Sequence, residues 1–237
     1  MMLPEPNEAH VWTYALEASQ KWVDRCTGWL AEEEVQRATC FRFEHLRRSF
    51  TLSRGLLRLL ISRYVGCEPE DIRFAYGPRG KPRITAPETR LRFNLSHGGR
   101  YGIYAFAVDC ELGVDIEEVR PLADIEGVVR RFFSPAEYAD WLSVEEARRE
   151  VAFFECWTRK EAYIKALGDG LSMALDSFRV SLLPDSPAVL LEAAAERDPA
   201  GVWRLKALTH VPGYAAALAV AEQVEEFRIM PVLRAGE

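Results

Sequence analysis

The chain has 237 residues, 49% of them hydrophobic, and a formal net charge of −6. That is enough apolar material for one large or two small globular domains, which excludes a disordered chain, and the acidic balance disfavours a general nucleic-acid binder. The apolar runs fall far short of a membrane span, and residues 1–10 carry Pro4, Glu5, Pro6 and Glu8 where an export signal needs a basic and then an apolar stretch; no membrane partner and a cytoplasmic location are therefore expected.

The first strong helical pattern covers residues 31–64, with a break expected near His45 and with Leu52, Leu56, Leu59, Leu60 and Arg63 at helical spacing. Gly66 is its natural stop. Ile72-Arg73-Phe74 reads as a short strand, and the stretch Tyr76-Gly77-Pro78-Arg79-Gly80-Lys81-Pro82 as a rigid loop that holds Lys81 outward. Leu91, Phe93 and Leu95 alternate with Arg92, Asn94 and Ser96, the signature of a half-buried strand ending at His97. Gly98-Gly99 permits a tight turn into a return strand over residues 101–108, and a third strand over 112–117 is expected to complete one small meander. Ser134-Pro135-Ala136-Glu137 combines an N-cap, proline at the first helical position and a capping glutamate, which predicts a helix through Trp141. A longer helix is predicted over 150–167, stopped by Gly168-Asp169-Gly170, and alternating stretches at 178–183, 189–192, 202–209 and 214–221 predict an antiparallel meander.

The fold class is thus α+β, with each half offering helix plus short antiparallel sheet, consistent with a pseudo-two-fold pair of subdomains at 1–112 and 113–237. Charge divides along the same line. Residues 37–63 contain Arg37, Arg42, Arg47, Arg48, Arg54, Arg58 and Arg63 against Glu44 alone, whereas residues 109–155 hold thirteen acids and five arginines. The first region suits phosphate and the second a cation. Cys26, Cys40, Cys67, Cys110 and Cys156 are scattered without the spacing of a zinc site or redox pair and read as reduced; Cys156, beside Trp157, reads as a small buried hydrophobe.

Within that acidic half, Asp115 and Glu117 share one face of the strand Gly113-Val114-Asp115-Ile116-Glu117, while Val114 and Ile116 take the other. Two adjacent carboxylates raise one another's pKa until a cation neutralises them. Glu161 interrupts a core-facing row of Phe154, Trp157, Ile164 and Gly168, where an ionised carboxylate needs a partner. Either Lys165, one turn on, or a metal shared with the strand acids answers that need, and a hard cation such as Mg²⁺ suits few protein oxygens plus phosphate. An acid pair on a strand is otherwise commonly a solvated face, and His97 alone is commonly a turn histidine. With Ser96, Gly98 and Arg100 around it, His97 also makes an anion site.

Four blocks, Gly80-Lys81-Pro82, Phe93-Asn94-Leu95-Ser96-His97, Gly113-Val114-Asp115-Ile116-Glu117, and Trp157-Thr158-Arg159-Lys160-Glu161-Ala162-Tyr163-Ile164-Lys165 with Gly168 and Gly170-Leu171, occur here in order. In them the chain resembles the 4′-phosphopantetheinyl transferases, of the larger type first associated with nonribosomal peptide synthetases, over about residues 34–221. The resemblance implies a monomer of two similar α+β halves with coenzyme A between them. It also implies transfer of the phosphopantetheine arm to a serine of an apo carrier protein, with release of adenosine 3′,5′-bisphosphate. Carried over by position, Asp115, Glu117 and Glu161 are the magnesium ligands, Lys165 contacts the pyrophosphate, and Ser96 and His97 bind the 3′-phosphate. Lys81 and Pro82 border the adenine, Lys160 helps hold the phosphates, and Arg47, Arg48 and Arg54, with Arg42 behind them, are the cations of the basic helix. For attack by a serine hydroxyl, Glu161, directly or through a metal-bound water, is the expected general base, and Lys165 the group expected to protonate the leaving phosphate. Two alternatives share these residues: a Mg²⁺-dependent hydrolase of a nucleotide diphosphate, and a silent module that binds coenzyme A or a carrier protein.

Overall fold

The computed structural model describes residues 2–168, 173–193 and 203–233. Asp169, Gly170, Leu171 and Val202, which fall in the expected helix stop, motif and strand, lie outside the described residues. In the N-terminal half β1 (Glu8–Ala15) is followed by three helices, α1 (Gln20–Trp29), α2 (Glu32–Thr39) and α3 (Glu44–Val65). The long helical pattern breaks between α2 and α3, just before His45, and Gly66 ends α3 at φ 73°, a backbone conformation that glycine adopts without strain. A hairpin of β2 (Arg73–Tyr76) and β3 (Pro82–Ala86) leads to β4 (Leu91–Gly98) and β5 (Tyr101–Val108).

The chain then crosses to the other half through β6 (Leu112–Glu118), α4 (Ile125–Phe132), α5 (Pro135–Ser143) and α6 (Glu146–Leu167). The predicted capping box starts α5: Glu137 N donates to Ser134 Oγ at 3.3 Å and Ser134 N to Glu137 Oε2 at 2.8 Å. The strands β7 (Arg179–Val180), β8 (Leu190–Glu192), β9 (Trp203–Ala207), β10 (Tyr214–Ala221) and β11 (Glu226–Ile229) complete the order.

Four layers result, and alternation along the strands dictates them. Tyr104 and Phe106 of β5 face α3, Leu52, Leu56 and Leu60, whereas Ile103, Ala105 and Ala107 face a second core shared with Val114 and Ile116 of β6 and Leu218 and Val220 of β10. The sheet β11-β1-β5-β4 thus packs face to face on the sheet β6-β10-β9. Behind the latter lies α6, seated on Ala215, Ala217 and Ala219, whose small side chains admit a helix closely.

Two sequence expectations are corrected here. The segment after β5 does not complete a meander, because β6 pairs with β10 in the second sheet and meets β4 only edge to edge. Nor do the C-terminal strands form one meander: among the described residues β7 pairs with β8 alone, while β9 and β10 join β6. In addition, β11 runs back to pair in parallel with β1, and Arg228 on it reaches the buried Glu8 at 2.8 Å. Among the described residues no helix is long and apolar enough to cross a membrane.

Candidate active site

The edges of the two sheets approach along β4 and β6. Val114 N donates to Asn94 Oδ1 at 3.0 Å, a side chain standing in for the ladder partner that the edge strand lacks. The approach depends on two glycines. A Cβ on Gly98 would lie 2.6 Å from Ile116 O, and one on Gly113 would lie 2.1 Å from Ala162 O and 2.3 Å from Ala166 N. Gly98 therefore lets β4 close on β6, and Gly113 lets β6 close on α6.

In the angle between these elements the sequence motifs converge. Asp115 and Glu117 project toward α6, away from the inter-sheet core, as alternation requires. Asp115 is buried, and its Oδ1 accepts from Ser96 Oγ at 2.7 Å and from Lys165 Nζ at 2.6 Å. Lys165 Nζ also donates to Ser96 Oγ at 2.9 Å. The lysine thus answers Asp115 on the neighbouring strand, not Glu161 on its own helix. Asp115 Oδ2 and Glu161 Oε1 are buried without a hydrogen-bond partner among the described residues. Burial, with the Asp115 charge second, pushes the Glu161 carboxyl above the usual range, and the same two causes push Glu117 up to about 7.

This set fits a hard divalent cation: two orphaned carboxylate oxygens and a third carboxyl strained by burial and like charge. Among the described residues no three acidic, histidine or cysteine side chains are drawn closely enough to enclose an ion by themselves. Magnesium keeps waters and phosphate oxygens in its shell, so it does not need them to be.

His97 points the other way along β4, with Leu95, and is exposed. Crowding by surrounding protein, then the Lys165 ammonium, hold its pKa below the ordinary imidazole value. Ser96 and His97 therefore occupy opposite faces of one strand. Lys81 is corrected: it is turned inward, not held outward. Its Nζ donates to Leu112 O at 3.2 Å and Ala166 O at 3.1 Å and pairs with Glu111 at 2.7 Å, so it joins the β2–β3 loop to the start of β6 and the end of α6. Beside it, Pro82, Ile84, Phe93 and Gly168 line a pocket of about 210 Å³. Glu111, the acid that draws Lys81 in, carried no motif signal; its position next to the crossing between halves was the only hint.

Other candidates lie elsewhere. Lys160 is fully buried on the far side of α6, where Nζ pairs with Glu137 at 2.8 Å and donates to Leu175 O and Phe178 O, each at 2.8 Å. One residue along a helix is a rotation of about 100°, so the neighbour of Glu161 faces the core and not β6. Arg54 is buried against Phe50 and Tyr76, 4.0 Å from Glu34. Arg47 donates to Phe41 O at 3.4 Å, and Arg48 to Ala18 O at 3.1 Å and to the Gln20 side chain. Arg42 lies over Phe43, and all these partners belong to the N-terminal half, none of them an acid of β6 or α6.

Comparison with known proteins matches both halves of the chain. Residues 111–219 match the 4′-phosphopantetheinyl transferase superfamily, and residues 16–108 the N-terminal region of a 4′-phosphopantetheinyl transferase family. The chain is 36% identical over 228 residues to the 4′-phosphopantetheinyl transferase HetI of Nostoc, covering 92% of this chain and 93% of that protein. It is 35% identical over 206 residues to the 4′-phosphopantetheinyl transferase Sfp of Bacillus subtilis, covering 86% and 87%. With both halves matched and relatives aligned over nearly their whole length, the chain belongs to the 4′-phosphopantetheinyl transferase superfamily, in its two-half type, and transfers phosphopantetheine from coenzyme A to carrier proteins.

Proposed function

We propose that the junction of β4, β6 and α6 is where coenzyme A is cleaved, with Asp115, Glu117 and Glu161 holding a magnesium ion and Lys165 meeting the pyrophosphate. The observation that carries this is the pair of buried, partnerless oxygens, Asp115 Oδ2 and Glu161 Oε1, beside an ammonium held 2.6 Å from Asp115 Oδ1. Bound there, the ion neutralises the charge that develops on the phosphate oxygens.

The reaction is an in-line displacement. The serine hydroxyl of the apo carrier forms an O–P bond to the phosphorus that bears the pantetheine arm. The bond from that phosphorus to the bridging oxygen breaks, and adenosine 3′,5′-bisphosphate leaves. Glu161, whose carboxyl is raised by burial and by Asp115, receives the serine proton. Lys165, held by Asp115 and Ser96 at a partly exposed position, brings charge and a proton to the leaving phosphate. His97 receives the 3′-phosphate on its open face of β4. Ser96, hydrogen-bonded to Asp115 and Lys165, serves the pyrophosphate side, and Lys81 and Pro82 border the base at the adjoining pocket. The protein acts as a monomer with the carrier as a transient partner.

Mass spectrometry of several apo carriers, incubated with the protein, coenzyme A and Mg²⁺, tests this reading. Carriers should gain the mass of phosphopantetheine. Free phosphopantetheine without carrier modification would instead indicate the hydrolase, and tight coenzyme A binding with neither product the silent module.

A pH dependence follows from Glu117. Its folded pKa of about 7 exceeds the ordinary value of 4.5, so between these limits the folded chain holds a proton that the unfolded chain has lost. The stability it contributes is complete below 4.5 and is lost as pH rises through about 7. A divalent cation takes the place of that proton. The rise in unfolding temperature on adding Mg²⁺ should therefore be larger at about pH 8 than at about pH 5.5; an equal rise at both would contradict the assignment.

A further inference from the structure

The turn joining β4 to β5 is gripped from both halves of the molecule. Arg100 N donates to Tyr214 Oη at 2.9 Å, and Leu16 N donates to Arg100 O at 2.9 Å. Tyr214 opens β10, directly opposite Glu118 of β6, so its hydroxyl belongs to the half that carries the acids. Its ring meets Tyr101 edge to face at 5.2 Å. The fit leaves no slack: Gly99 has φ 53°, and a Cβ there would lie 2.4 Å from Glu118 Oε2 and 2.5 Å from Tyr214 Oη. Gly98 meanwhile stands against Ile116 and Glu117. Ser96 and His97 come immediately before this turn on β4.

From this grip we infer that Tyr214 is a positioning residue for substrate: its hydroxyl, by holding the Arg100 amide, fixes the turn so that His97 meets the 3′-phosphate of coenzyme A in register with the acids of β6. The β4 edge has no backbone ladder to β6, so side-chain bonds set where His97 stands relative to Asp115. Tyr214 touches no reacting atom. Its influence runs through the turn to the phosphate-binding face, and it is therefore specific to ligands that carry the 3′-phosphate. The inference rests on the assignment of His97 to that phosphate.

Tyr214→Phe removes the hydroxyl and keeps the ring contact with Tyr101. Titration calorimetry of coenzyme A and of 3′-dephospho-coenzyme A, each with Mg²⁺, is measured for the native protein, Tyr214→Phe and His97→Ala. Tyr214→Phe should bind coenzyme A about fivefold more weakly, the worth of one neutral hydrogen bond, and bind the dephospho ligand as the native protein does. An equal loss for both ligands, which a merely structural role would give, overturns the inference, as does no loss for either. His97→Ala separates the two levels. If it no longer distinguishes the ligands while Tyr214→Phe behaves as native, the positioning role alone fails; if it distinguishes them as the native protein does, the phosphate assignment fails and the inference with it.

Discussion

Glu161→Gln is expected to give a protein at least as stable as the native one that modifies carriers at least about a hundredfold more slowly. In the metal-free protein the Glu161 carboxylate offers little to the fold: its Oε1 is buried without a partner among the described residues, and burial and Asp115, opposed only in part by Lys165, disfavour its charge. Neutralising it relieves those costs while removing a metal ligand and the proton acceptor. Asp115→Asn should show an equal catalytic loss, but it also gives up the charge pairing with Lys165, which is partly exposed and can turn to water. Rates of carrier modification at saturating coenzyme A, read beside thermal unfolding, check both. A Glu161→Gln variant that is less stable and fully active would place the residue among the packing groups and not in the site.

The opposite pattern is expected one position earlier. Lys160 and Glu137 form a fully buried pair, and removing either partner leaves a charge without solvent or counterion. Lys160→Met should cost about 3–5 kcal/mol, a large share of the 5–15 kcal/mol that holds a typical domain together. Glu137→Leu should cost more, because Glu137 also accepts from Ser134 N and Val180 N, each at 2.8 Å, and so ties α5 and β7 to α6. The double variant should regain part of the loss from Glu137→Leu but not all, since those two backbone donors stay unsatisfied. Denaturant unfolding measures each step. The fraction of Lys160→Met that remains folded should bind coenzyme A with native affinity; a weakened affinity with unchanged stability would return Lys160 to the phosphates.

These two residues show what the sequence made legible and what it hid. The charged Trp157 to Lys165 block marked α6 as chemical, and strand alternation put Asp115 and Glu117 on one face. Which side of α6 each charge took depended on tertiary packing: the core offered Lys160 an acid from α5 and two carbonyls. Elements with local signals were readable, as with Gly66 closing α3 and the capping box opening α5. The strand β1 was not, because its burial is continuous and its polar Glu8 and His10, which pair with each other, are completed by Arg228 and Tyr64 from distant segments. Short, mostly exposed β11 exists through its pairing with β1 and carries no pattern of its own. The meander expected of β4, β5 and β6 failed for a related reason. The connection over residues 109–111 is short enough for a hairpin, but Val114 and Ile116 bury against β10 as well as β5, so β6 pairs with β10 in the opposing sheet.

Catalysis at this junction requires one ion lying between β6 and α6. A crystal structure with coenzyme A and Mn²⁺ in place of Mg²⁺, read by anomalous scattering, locates it. The expected peak lies within coordination distance of Asp115 Oδ2 and Glu161 Oε1, with Glu117, the pyrophosphate and waters completing the shell and Lys165 drawn from Asp115 toward the phosphate. A peak elsewhere, with Lys165 still on Asp115 and Glu161 turned away, would contradict it.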